Sequence, residues 1–202
     1  MSFDHPFRNR IFTVKEYVRL LHHAFSTIPV LRQVSRSRDI PRAFSERIML
    51  AVTQVNGCRY CAYGHARMAL AAGVPDQEIQ QLMQGEFDSL PREEIKAILF
   101  AQHYAESCGR PEKHAWDVLV ETYGRDSAMG ILAYIRMIML GNLLGNTFDA
   151  FLHRIRFNPV PGSRLYDEVG ILLGSLVLIP SIGLFQSLRR VVASPDPAES
   201  IT

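Results

Sequence analysis

Apolar residues recur at three- and four-residue intervals along almost the whole chain, and no run of alternating apolar and polar residues is long enough for a half-buried strand. That pattern restricts the fold to packed helices. Thr13 to Phe25 reads as a first helix, with Thr13 placed to cap it and Val14, Val18, Leu21 and Phe25 at helical spacing. Pro41 to Val55 reads as a second, with Phe44, Ile48, Ala51, Val52 and Val55 on one stripe, and Asn56-Gly57 breaks it. A third runs from Cys58 to Ala72, where Gly73 supplies a stop. Pro75 to Gln84, a segment opened by Ser89 to Glu93 and running to Ser107, Pro111 to Tyr123, and Asp126 to Ile155 complete the set. In the last of these, Gly141 and Gly145 allow close packing or a bend. Arg32, Arg36, Arg38 and Arg42, between the first two helices, read as a solvated face.

The two prolines and the glycine of Phe157 to Ser163 cannot continue a helix. The chain is therefore divided into a helical domain, 1–156, a linker, 157–163, a C-terminal apolar helix, 164–193, and a flexible tail, 194–202. Val169 to Phe185 carries no charge and would span about 25 Å as a helix, slightly short of a bilayer crossing. Two readings stay open for 169–185: a subunit-interface helix or attachment to a membrane.

The 202 residues are 48% hydrophobic and 21% charged, a globular composition. With 22 basic and 20 acidic residues the net charge is +2, so no nucleic-acid footprint is expected, and there is no Gly-rich phosphate loop. Three cysteines are too few for a disulfide-stapled secreted scaffold, and no apolar leader follows the first residues. A reducing, cytoplasmic setting fits, and there a Cys-x-x-Cys is catalytic or metal-binding.

Such a pair is present. Cys58, Cys61 and His65 fall within about 60° of one another on a helix, and Cys61 and His65 are an i,i+4 pair. Glu46 lies on the preceding helix, about three turns up; a fold-back at Asn56-Gly57 would bring its carboxylate to the same place. A thiol needs a base or a cation to become a thiolate, and His65 offers both. A carboxylate orients that imidazole. A second thiol three residues away resolves a sulfenic acid into a disulfide. Cys58, in the first helical turn, is the thiol that the helix dipole favours as thiolate. The same four side chains would also serve a non-catalytic alternative, a zinc-stabilised helical interaction module. Cys108, in a turn beside Gly109, reads as a surface thiol outside this chemistry.

Glu46, eleven intervening residues, Cys58-x-x-Cys61, three residues and His65 resemble the redox branch of the carboxymuconolactone decarboxylase / alkylhydroperoxidase D-like (AhpD-like) family. The following Ala-Ala-Gly-Val-Pro-Asp-Gln-Glu-Ile resembles that family's turn into its next helix, and the likeness extends diffusely from Pro41 to Arg154. The resemblance implies an all-α, AhpD-like helical bundle, here with an added C-terminal apolar helix, assembled as a homo-oligomer. It implies peroxidase or disulfide-reductase chemistry without a cofactor, acting on a peroxide and recharged by an external dithiol. Cys61 is then the peroxide-reacting thiol and Cys58 the resolving one, the reverse of the dipole argument. Tyr60 stands where alkylhydroperoxidase D itself has a histidine, so one proton-relay group is missing. That enzyme's partners, a lipoylated acyltransferase and a peroxiredoxin, are not carried over with it. The family's true decarboxylases lack the dithiol, so decarboxylation is not expected.

Overall fold

A computed structural model describes residues 9–37 and 39–193, with side chains described as far as Ser181. The 194–202 tail assigned from the sequence lies outside the described residues. Among them every regular element is a helix: α1 (Val14–Ser26), α2 (Ile28–Ser37), α3 (Arg42–Asn56), α4 (Arg59–Ala71), α5 (Asp76–Gln84), α6 (Ile95–Glu106), α7 (Lys113–Tyr123), α8 (Arg125–Ile155) and α9 (Leu165–Ala193). The fold is all-α, as the periodicity requires.

Two helices organise the bundle. α3 packs on α4, α5, α6 and α8, while α8 also carries α1, α2, α7 and α9 along its length. Ile48, Leu50, Ala51 and Val52 of α3 and Ile131, Ile135, Met139 and Leu143 of α8 are fully buried in the common core. α8 is long and apolar enough to cross a membrane, but most of it is packed inside the bundle, as befits a core helix.

Local chemistry sets the boundaries. Thr13 and Glu16 form a capping box at the start of α1: the Thr13 hydroxyl accepts from the Glu16 N–H at 3.3 Å and the Thr13 N–H donates to Glu16 Oε2 at 2.9 Å. α3 ends at Gly57, whose φ of +73° is left-handed; glycine adopts it without a Cβ clash, and the chain reverses at once into α4.

Outside the dithiol segment the structure departs from the sequence reading at three places. The arginine stretch is a helix, α2; its inward residue Val34 packs so closely on α8 that a Cβ built on Gly130 would stand 2.8 Å from Val34 Cγ2. Val30 is half-buried against the same core, and Val30, Leu31 and Val34 stand at helical spacing on the inward side. Residues 89–94 are turns, and α6 starts at Ile95. Cys108 is not a surface thiol: it is 9% exposed and its Sγ–H donates to Glu16 Oε1 at 3.1 Å. Burial, with the Glu16 carboxylate beside it, pushes that thiol up to about 11.

Candidate active site

The reversal at Gly57 lays α4 against α3, and this brings Glu46 and His65 together. His65 Nδ1 lies 2.8 Å from Glu46 Oε2, with Glu46 4% exposed. An ionised carboxylate only accepts, so the ring donates from Nδ1 and Nε2 is left as its proton-accepting nitrogen. The second carboxylate oxygen of Glu46 faces Arg42 Nε at 4.0 Å.

Cys58 does not belong to the first turn of α4. It is the residue before it, with extended backbone (φ −70°, ψ 101°), and its Sγ accepts the Cys61 N–H at 3.3 Å. Here a sulfur takes the place that a Ser or Asp oxygen commonly fills at a helix start. Cys58 is fully buried, whereas Cys61 is half-buried. Both are free thiols. The neighbouring Cys61 sulfur and its own burial push Cys58 well above the ordinary thiol range. The Cys58 sulfur beside it, Asn142 and the field of His65 favour the Cys61 thiolate. Against the opposing effect of burial, these bring it from the ordinary 9.0 down to about 7. The helix dipole alone points to Cys58 as thiolate; its complete burial opposes that.

α8 supplies the other wall. Asn142 is fully buried; its amide nitrogen donates to Thr53 Oγ1 at 3.1 Å, and its carbonyl accepts from Asn56 Nδ2 at 3.1 Å. Those bonds fix the amide so that its N–H groups face Thr53 and Cys61. One turn on, Gly145 leaves room for the sulfurs: a Cβ there would stand 2.6 Å from Cys58 Sγ and 3.6 Å from Cys61 Sγ. Farther along, Asp149 is 3% exposed and accepts from Arg59, from Tyr60 Oη at 3.2 Å and from Asn9 Nδ2 at 3.1 Å. Tyr60 is thus tied away from the sulfurs by its hydroxyl, while Arg59 lies over its ring at 5.0 Å.

Sequence reasoning passed over Asn142, Asn146 and Asp149. Their spacing is a signal that could have found them: three polar residues on one face of an otherwise apolar helix, buried, must be answering polar groups. Replacing Asn142 with leucine is expected to remove one donor to Cys61. The inflection of its alkylation rate then moves upward from about 7. Iodoacetamide labelling across pH reads this directly, and a profile unchanged from wild type would leave the amide without influence on the sulfur.

The zinc alternative requires four side chains converging on one point. Among the described residues, no group of three or more His, Cys, Asp or Glu side chains is placed to hold a metal ion. Glu46 is hydrogen-bonded to His65, and the Cys58 sulfur accepts from the Cys61 amide.

Residues 31–103 match the model of the carboxymuconolactone decarboxylase family. Glu46, Cys58, Cys61 and His65 all lie inside that stretch, whereas Asn142, Gly145 and α9 lie beyond it. No curated protein and no solved structure matches the chain.

Proposed function

We propose, starting from a chain whose residues 31–103 carry the carboxymuconolactone decarboxylase family pattern, that the protein is a dithiol oxidoreductase that reduces peroxides through Cys58 and Cys61. The observation that supports this reading is the Glu46–His65 hydrogen bond one helical turn from Cys61, whose sulfur lies in the field of His65 with Cys58 beside it. There an oriented imidazole and a half-buried thiol held near neutrality stand beside a buried second thiol.

In the proposed cycle the Cys61 proton passes to His65, whose charge Glu46 offsets. The thiolate attacks the terminal peroxide oxygen and the O–O bond breaks. Two electrons pass from sulfur to the peroxide; its leaving oxygen takes the proton back from His65 and departs as an alcohol, or as water from hydrogen peroxide. Cys61 is now a sulfenic acid. Cys58 attacks its sulfur, the S–S bond forms, and hydroxide leaves as water with the Cys58 proton. An external dithiol then reduces the disulfide by two exchanges and leaves oxidised itself.

After mild peroxide treatment, peptide mapping is expected to give one Cys58–Cys61 disulfide and a free Cys108 thiol. Peroxide consumption should follow when a panel of dithiol donors is supplied. A principal disulfide that includes Cys108, or a dithiol that stays reduced under peroxide, would overturn the proposal.

A further inference from the structure

We propose that the distal half of α9 is a membrane anchor: it enters the surface leaflet of an anionic bilayer and seats the helical bundle on it. The argument starts where α9 is held. Arg154 donates to both carboxylate oxygens of Glu168, at 2.7 and 2.9 Å, and Asp167 accepts the Val14 N–H at 2.8 Å. Gly170 and Gly174 then let the helix lie close to α1, where a Cβ would stand 3.0 Å from Val14 Cγ2 and 3.3 Å from Tyr17 Cε1 respectively. Ile171 between them is fully buried.

Two turns later that hold narrows to one side. Leu178 follows Ile171 by seven residues, which returns it to the same face within about 20°, yet Leu178 is 40% exposed; beside it Ile179 still packs on the core, facing Phe25 and Met137. Leu176 and Val177, on the outer side, are 72% and 64% exposed. Among the described side chains from Leu176 to Ser181 the cover is therefore partial and the outer face is open, while the backbone stays helical to Ala193. In sequence, nothing from 169 to 188 is charged, and Arg189-Arg190 follows.

The character of the uncovered surface selects what covers it. A partner helix hides one stripe and leaves the opposite side to be polar; in sequence, 176–185 carries one polar residue, Ser181, so every side of that stretch is apolar, the pattern of cores and membranes. Residues 176–188 make about 20 Å of helix, more than one leaflet's share of a hydrocarbon core about 30 Å thick and less than the whole. Pro180 removes a backbone hydrogen bond and permits a bend, so the helix can turn shallow and return Arg189-Arg190 to the head groups. Two adjacent arginines complement anionic lipid.

The test is flotation of the full-length protein with vesicles of phosphatidylcholine alone and of phosphatidylcholine mixed with phosphatidylglycerol. The wild-type chain is expected to float with the mixed vesicles. Leu176→Asp combined with Val177→Asp, both on exposed positions, should abolish flotation. Replacing Arg189 and Arg190 by glutamine should weaken it by about five-fold for each arginine, on the anionic vesicles only. The alkylation rate of Cys61 should be the same in every variant, so this test stands apart from the dithiol chemistry. A wild-type protein that stays at the bottom of the gradient would overturn the proposal. So would a concentration-dependent oligomer that the two aspartates dissolve while vesicle binding is nil; that result would assign α9 to a second copy of the chain.

Discussion

Replacing His65 by alanine is expected to slow peroxide consumption at neutral pH by about 100-fold or more, the usual cost of losing a positioned proton-transfer group. Part of the effect acts through the sulfur. With an inflection at about 7, about half of Cys61 is thiolate at neutrality. The field of His65 is one contribution to that value, after Cys58 and Asn142, so its loss raises Cys61 part of the way back toward the ordinary 9.0 and lowers the thiolate fraction accordingly. The sign follows: the variant is slowest relative to wild type at and below neutrality, and the two alkylation rates converge as pH rises past the ordinary thiol range. Glu46→Gln should act in the same direction and by less, because it removes the charge that orients the ring and keeps the ring itself. A side chain that only supports the fold would lower the rate equally at every pH. Profiles that coincide for wild type and both variants would remove the relay.

The second large effect concerns stability. Arg47 of α3 is 8% exposed and binds two acids from elsewhere in the chain: its Nε lies 2.5 Å from Glu78 Oε1, and its Nη1 lies 3.2 Å from both oxygens of Glu94. This triad ties α3 to α5 and to the turn before α6. Arg47→Ala leaves the buried Glu78 and the half-buried Glu94 carboxylates without this cation, and breaking a buried ion pair in this way costs about 3–5 kcal/mol. Burial already holds the Glu94 carboxyl above its ordinary 4.5, even with Arg47 beside it. Without the arginine, the folded-state value rises further. An acid with a raised folded value favours the native state at low pH and opposes it as pH rises through that value, so the deficit of the variant should shrink on acidification. Urea unfolding at neutral and mildly acid pH measures both parts. A deficit under 1 kcal/mol at neutrality, or one that grows in acid, would contradict this account.

The helical class was legible because periodicity is a local property, and the fold-back of α4 on α3 because Asn56-Gly57 is a local break. Glu46, Cys58, Cys61 and His65 could be singled out together since they lie within twenty residues and have reactive side chains. What could not be read were groups whose role arises from packing. Asn142 and Gly145 come from a helix about eighty residues away, and neither a neutral amide nor a missing side chain makes a motif. For the two thiols the helix dipole and the family resemblance pointed in opposite directions; the difference in burial, and the shift of one residue at the start of α4 that moved Cys58 from helix to cap, were beyond the sequence. α2 is a ten-residue helix opened by Ile28-Pro29, and its inward residues Val30 and Val34 stand among arginines that read as a solvated face.

Gly145 also bears on how the protein would fail under oxidative load. By lying under the sulfurs without a side chain, it lets Cys58 sit at zero exposure against the backbone of α8. A peroxide molecule arriving from solvent meets Cys61 and has no approach to Cys58. In the proposed cycle, irreversible damage is therefore a race at one atom. Closure by Cys58 proceeds at a fixed rate, whereas attack by a second peroxide on the sulfenic acid speeds up with peroxide concentration. The inactivated protein would carry one sulfinic group per chain, at Cys61, and keep its inner thiol intact.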